Sequence, residues 1–307
     1  MCRINPKVDF AFKKLFGSAE NKDILKDLIN AIVFEEDRID SLELRNPYNF
    51  KEFLTDKESI LDIKATSCTG KIYNIEMQVL KQDYYAERSL YYWSKNYSMQ
   101  LTQGINYNFL KKTICINIMN YNCLPEKEYH NVYRIRNLAT GAELSSHFEI
   151  HFIELKKYDE RMSTLLDRWT NFLAKAETYD ADKFPEQLLE VPTIKKALEI
   201  MQTMSLDDKE REYYEKRLGW LRDEEMALLT AKKEGLQEGL EKGLQAGIEK
   251  GLQAGIEKGL KEGLGKGRIE GKIEVVKKLL MKNFPVTDIS ELTGLDVYEI
   301  ERVKQEL

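Results

Sequence analysis

The sequence predicts an α/β amino-terminal half followed by an all-helical carboxy-terminal region, and three observations carry that expectation. Residues 1–160 hold the aromatic and strand-like segments, with apolar side chains alternating at period two. Residues 161–230 read as a run of amphipathic helices. Residues 231–272 carry glycine at every fourth position, and 273–307 form a short helical tail with helix–turn–helix-like spacing. These four zones are the expected domains.

Composition narrows the function classes. The chain has 307 residues, of which 42% are apolar and 32% charged, so it is globular rather than disordered. Forty-seven basic residues against 52 acidic ones leave a net charge of −5, which excludes an overall basic nucleic-acid coat. Any DNA contact must come from a local patch. Four cysteines (Cys2, Cys68, Cys115, Cys123) form no CxxC pair, so neither a zinc knuckle nor a disulfide framework is expected. No run of about 18 apolar residues is present to span a membrane, and the opening Met-Cys-Arg-Ile-Asn-Pro-Lys lacks the apolar run of a signal peptide. The expectation is a reduced, cytoplasmic protein with no membrane partner.

Taken in order, Asn5–Gly17 (NPKVDFAFKKLFG) reads as a first amphipathic helix. Phe10, Leu15 and Phe16 belong to its core face. Asp9 stands near its positive end, where a carboxylate is stabilised by the helix dipole with no catalytic role required. The next segment, KESILDIKATSCTGKIYNIEMQVL (57–80), reads as a hairpin. A three-residue loop Cys68-Thr69-Gly70 places Gly70 at the left-handed position, sets Ser67 opposite Lys71, and makes paired residue numbers sum to 138. Leu61, Ile63 and Ala65 then share an apolar face with Tyr73, Ile75, Met77 and Val79. The other face carries Asp62, Lys64, Asn74, Glu76 and Gln78. A two-residue Thr69-Gly70 turn would slip the register by one and mix the faces.

In this register Asp62 faces Glu76, with Cβ atoms about 5 Å apart. Two opposed carboxylates destabilise a plain hairpin, and a divalent cation removes the repulsion. Oxygen ligands at that separation suit magnesium, with manganese or calcium as substitutes. A solvated polar face, with Lys64 helping to neutralise the acids, explains the same residues without a metal.

Tyr84–Tyr107 follows as an aromatic helix with six of the 16 tyrosines, Trp93, Arg88 and Gln100. Arg88 and Tyr92 stand at i and i+4 on one face, a combination suited to a phosphate backbone. Alternatively, Tyr91, Trp93 and Tyr97 cover the sheet with amphipathic rings. Thr113–Met119 and His147–Leu155 read as further strands. Only three histidines are present, and no GxxxxGK[ST] or GxGxxG segment, so a histidine triad, a zinc site and a phosphate loop are not indicated.

In the glycine tract ten glycines from Gly235 to Gly271 keep a strict four-residue period, and Leu or Ile follows eight of them. Ten glycines cost a helix roughly 10 kcal/mol relative to alanine. Two readings stand open: a close-packed oligomerisation helix, since small residues let backbones approach, and a repeat-expanded spacer, since GLQAGIEK occurs twice in succession. In the tail, Lys272–Asn283 and Val286–Leu292 read as helices, Gly294 as a turn, and Asp296 with Glu299 as a capping box. The final segment Asp296–Leu307 has four acidic residues against two basic ones, which argues for protein packing rather than DNA reading.

Asp62 followed by Glu76-Met77-Gln78 resembles the PD-(D/E)XK nuclease pattern, with Gln78 where the last motif residue is usually lysine. Together with NPKVDFAFKKLFG (5–17) and RSLYYWSKNYSMQLTQGINY (88–107), these segments resemble the Rpn family of recombination-promoting nucleases, often labelled transposases. The resemblance implies a mixed sheet flanked by helices. It implies that Asp62 and Glu76 hold Mg2+ or another divalent cation, that Asp9 is an additional acid near the site, and that Gln78 stands in the lysine position. Lys64, on the same strand face as Asp62, is the candidate for the missing charge; Arg88, Gln100 and Tyr92 are the candidates for substrate contact. The implied activity is metal-dependent endonucleolytic hydrolysis of DNA with low sequence specificity, linked to recombination, transposition or mobile-DNA defence, with homo-oligomers formed through the glycine tract. Rival readings are a catalytically weakened DNA-binding module and an oligomeric effector held by a regulatory partner on its tail.

Overall fold

A computed structural model describes residues 4–45, 63–180 and 183–307. The chain divides into two compact units, Met1–Met226 and Ala227–Leu307.

In the first unit a six-stranded mixed sheet has the order β1-β2-β3-β4-β6-β5. Its strands are β1 (Leu42–Leu44), β2 (Ile63–Ser67), β3 (Ile72–Gln78), β4 (Thr113–Met119), β5 (His130–Tyr133) and β6 (Phe148–Glu154). β3, β4 and β6 run parallel, whereas β1, β2 and β5 join antiparallel. All seven residues of β3, β4 and β6 are buried, as expected of strands covered on both faces.

The hairpin has the register read from the sequence. Ile63 pairs with Ile75, Lys64 with Asn74 and Ala65 with Tyr73, each pair summing to 138. Gly70 has φ +85°, and its N–H donates to the Ser67 carbonyl at 2.9 Å. Any other L-residue there would be strained. The ladder sends Tyr73, Ile75 and Met77 to one face and Asn74, Glu76 and Gln78 to the other. Asp62 lies outside the described residues.

The apolar face packs on α1 (Asp9–Phe16), α2 (Lys22–Ile32), α4 (Leu165–Lys175) and α6 (Pro192–Leu206). The polar face is covered by α3 (Tyr85–Ser98), which forms the crossover between β3 and β4. Thr164 and Asp167 close a capping box that starts α4. Short α5 (Glu186–Leu189) and the opening turns of α7 (Asp208–Met281) complete the unit. Trp169, Phe172, Ile194, Leu198 and Tyr214 share one core with Phe10, Phe16 and the β3 side chains. Helices drawn from 161–230 therefore bury their apolar faces against the same layer as α1 and α2.

In the second unit α7 continues through the glycine tract, followed by α8 (Val286–Thr293) and α9 (Val297–Gln305). Val276, Ile289, Ile300 and Val303 form its core. Gly294 has φ +63° and ends α8, and Asp296 with Glu299 makes the capping box of α9. From Leu236 to Leu264 the eight apolar residues following glycine are 62–68% exposed.

Candidate active site

The site builds from the polar face of β3. Asn74, Glu76 and Gln78 are 1%, 4% and 3% exposed, so three polar side chains sit in a layer where burial is costly without partners. Asn74 Nδ2 donates to Glu76 Oε1 at 3.1 Å. Tyr85 Oη, from the first turn of α3, lies 3.1 Å from Glu76 Oε2 and 3.2 Å from Asn117 Oδ1, so its single proton serves two acceptors. Burial and the neighbouring Glu76 charge push the Tyr85 hydroxyl well above its ordinary pKa, which keeps it a neutral donor. Asn117 on β4 pairs with Glu76 across the ladder, and its Nδ2 donates to Ser89 Oγ at 2.9 Å.

Beside this row a cavity of about 190 Å³ is lined by Lys7, Asp9, Gln78, Gln82, Arg88, Arg217, Trp220 and Glu224 with three apolar neighbours. Asp9 is 3% exposed; its Oδ1 accepts from its neighbour's Phe10 N–H at 2.8 Å. Both its oxygens accept from Arg217, Nε to Oδ1 at 3.1 Å and Nη2 to Oδ2, a two-point fork. The Lys7 ammonium is committed elsewhere, to Glu177 and to the Leu173 and Ala174 carbonyls; burial lowers its pKa and Glu177 opposes that. Arg88 Nη1 donates to Gln82 Oε1, and its guanidinium carbon lies 5.3 Å from the centre of the Tyr92 ring.

The structure brings Asp9, Gln78 and Arg88 to one cavity, with Glu76 on the adjoining strand face and Tyr92 under Arg88. Lys64 points to the same sheet face from β2, opposite Asn74, and does not line the cavity. Gln100 sits at the other end of β4: its amide donates to the Lys111 carbonyl and Thr113 Oγ1 and accepts from the Lys111 N–H, clamping the loop that enters the strand. Trp93 and Tyr97 cover the sheet as rings, with centroids 4.8 Å apart and the Trp93 indole N–H donated to the Thr113 carbonyl. Arg217 and Trp220 were missed by sequence reasoning. They stand more than 200 residues from Asp9, and no local pattern links them to it.

The donor chemistry here decides which metal the site could take. Glu76 is a buried, oriented carboxylate that accepts from the neutral donors Asn74 and Tyr85. Hard oxygen ligands of this kind suit Mg2+, Mn2+ or Ca2+. Among the described residues no three His, Cys, Asp or Glu side chains converge on one metal position. The second carboxylate expected here is Asp62.

A mixed sheet with helices on both faces, and an acid two residues before a polar side chain on its central hairpin, is consistent with the PD-(D/E)XK class of α/β fold. The chain belongs to that class by sequence as well: the model of the PD-(D/E)XK nuclease family transposase matches residues 6–231, and the protein is a member of this family. Nucleases of the family generally use divalent metal ions. The match runs from the first helix to beyond Trp220, so it takes in every cavity-lining residue named above. No curated protein and no solved structure matches the chain significantly. Among the described residues, no helix is long and apolar enough to cross a membrane.

Proposed function

We propose that this protein is a divalent-metal-dependent DNA endonuclease of low sequence specificity, acting in recombination, transposition or mobile-DNA defence. The observation that carries the reading is Glu76, a buried carboxylate held by Asn74 and Tyr85 beside an arginine-lined cavity, in a chain of the nuclease family. Glu76 and Asp62 are the residues that would hold the metal. When bound, the ion would lower the pKa of water and offset charge at phosphorus. The reaction balances as hydrolysis: a water oxygen bonds to phosphorus, the bond from phosphorus to the sugar oxygen breaks, and a proton moves from the water to the departing oxygen.

Asn74 and Tyr85 orient Glu76 and keep it an acceptor. Gln78 offers an amide donor where a lysine would offer a charge, so it cannot act as a base. A second reading follows from that residue: a DNA-binding, transposition-associated module whose chemistry is weakened. The two separate on cleavage of supercoiled plasmid with Mg2+. Nicking that requires metal and disappears in both Asp62→Ala and Glu76→Ala supports the endonuclease. Metal binding without cleavage supports the weakened module. Homo-oligomers through the glycine tract, and a regulatory partner on the tail, belong to the same proposal; sedimentation of the full chain tests the first.

A further inference from the structure

The cavity beside β3 holds an excess of buried donors. Among the described residues, Gln78 Nε2 and Arg88 Nε are both buried without a hydrogen-bond partner, and both residues line the same 190 Å³ space. A buried donor left unpaired is costly, and two beside one cavity point to a ligand rich in acceptors. The third group is Arg217. Its Nε and Nη2 are taken by Asp9, and its guanidinium carbon stands 5.0 Å from the centre of the Trp220 ring, so it is held at two points and against an aromatic plane. Arg217 lines the same cavity as Gln78 and Arg88. A planar, permanently charged fork of this kind matches phosphate oxygens.

We propose that Arg217, from the opening turns of α7, supplies the positive charge that Gln78 lacks, and that it forms with Gln78 Nε2 and Arg88 Nε the donor set for the phosphoryl group being cleaved. This rests on the nuclease reading above and adds to it a catalytic residue far from the motif. The neighbouring cation in the cavity, Lys7, is bound to Glu177 and two carbonyls and is not available for the role. Lys64 pairs with Asn74, four residues from Gln78 along β3. A guanidinium does not deprotonate near neutral pH, so Arg217 contributes charge stabilisation and takes no proton from water. Gln78 becomes a working donor in this scheme. Asp9 becomes the group that aims the arginine.

The test is steady-state cleavage of duplex DNA in Mg2+ by the full-length chain, comparing wild type, R217Q, R217K and the double variant Q78K/R217Q. Loss of a donor to developing charge costs about 100- to 1,000-fold in kcat, and that is the expected effect of R217Q. Returning the charge from the motif position with Q78K should recover at least about tenfold of it. R217K keeps a charge that titrates, so its rate should acquire a falling alkaline limb absent from wild type. A merely structural arginine predicts neither the rescue nor the limb. Should R217Q fail to fold, the R217K pH profile decides alone. Wild-type cleavage that R217Q leaves within about threefold, or a loss that Q78K does not restore with no alkaline limb in R217K, overturns the role of Arg217 and leaves the nuclease reading intact. No metal-dependent cleavage by wild type overturns both.

Discussion

Two polar clusters lie on opposite faces of one sheet, and their bookkeeping of hydrogen bonds differs. On the apolar-core face, Glu149 on β6 is fully buried and accepts from Lys112, Arg134 and His151. Lys112 also reaches Asp37, which pairs with Lys71 as well. His151 lies 2.9 Å from His130 and stacks on it. This network leaves none of its side-chain atoms orphaned among the described residues. On the α3 face, by contrast, Asn74 Oδ1, Gln78 Nε2 and Arg88 Nε are buried without partners among the described residues. A closed network rigidifies a fold, whereas open valences in a cavity await something from outside. The first cluster has the form of a structural network, and the second is the one to which the proposed function assigns chemistry.

That contrast can be broken in measurable steps. The largest expected effect is on stability: Glu149→Ala removes the buried acceptor shared by Lys112, Arg134 and His151 and should cost about 3–5 kcal/mol, read by urea unfolding, with cleavage per folded molecule unchanged. Next comes Glu76→Gln, whose effect should fall on activity, at least about 100-fold in kcat, with a far smaller shift in the unfolding midpoint. Equal destabilisation by both substitutions would erase the distinction between the clusters.

Acid should act on the closed network. Burial works against charge on Glu149, but hydrogen bonds from His151 and Lys112 prevail and hold its carboxyl down to about 2. Its folded pKa lies below the ordinary carboxyl value of 4.5, so its contribution is present above that value and lost as pH falls towards 2. The loss is up to about 3 kcal/mol. Burial and the adjacent His151 push His130 from 6.5 down to about 4, so between those values the unfolded chain binds the extra proton and stability again falls with acidification. Unfolding free energy measured from pH 7 to pH 3 should decline throughout, and the decline below pH 4.5 should shrink in Glu149→Gln.

The smallest expected effect lies in the second unit. At Gly243, Gly247, Gly251 and Gly255 an added Cβ meets nothing within 4 Å. Alanine there should raise helicity, by up to about 1 kcal/mol per site, seen by circular dichroism. If the tract associates through close backbone approach, as proposed, the same substitutions should weaken self-association in sedimentation. Unchanged association would favour the spacer reading.

What was legible in the sequence was local. The Gly70 loop fixed the hairpin register, because alternation leaves one pairing that keeps Ile63 and Ala65 on the side of Tyr73 and Ile75. Asp296 and Glu299 announced the start of α9 by their spacing. The β3 acid and its glutamine were visible for the same reason. Distant pairings were not. Arg217 meets Asp9 across 208 residues of sequence, and His130 meets His151 through the pairing of an edge strand that no apolar alternation marks. Gln100 drew notice for its place among aromatics, yet its partners are the backbone of Lys111 and the Thr113 hydroxyl, contacts that only the turn into β4 creates.

The most direct test of this division is a thermal unfolding titration with Mn2+ on wild type, Glu76→Gln and Glu149→Gln. A metal that binds the folded state stabilises it by about 2.7 kcal/mol at 100 times its dissociation constant. Wild type and Glu149→Gln should show that rise in midpoint, the latter from a lower start, and Glu76→Gln should show none. An undiminished rise in Glu76→Gln, or its loss in Glu149→Gln, would contradict the account and move the metal to the other face of the sheet.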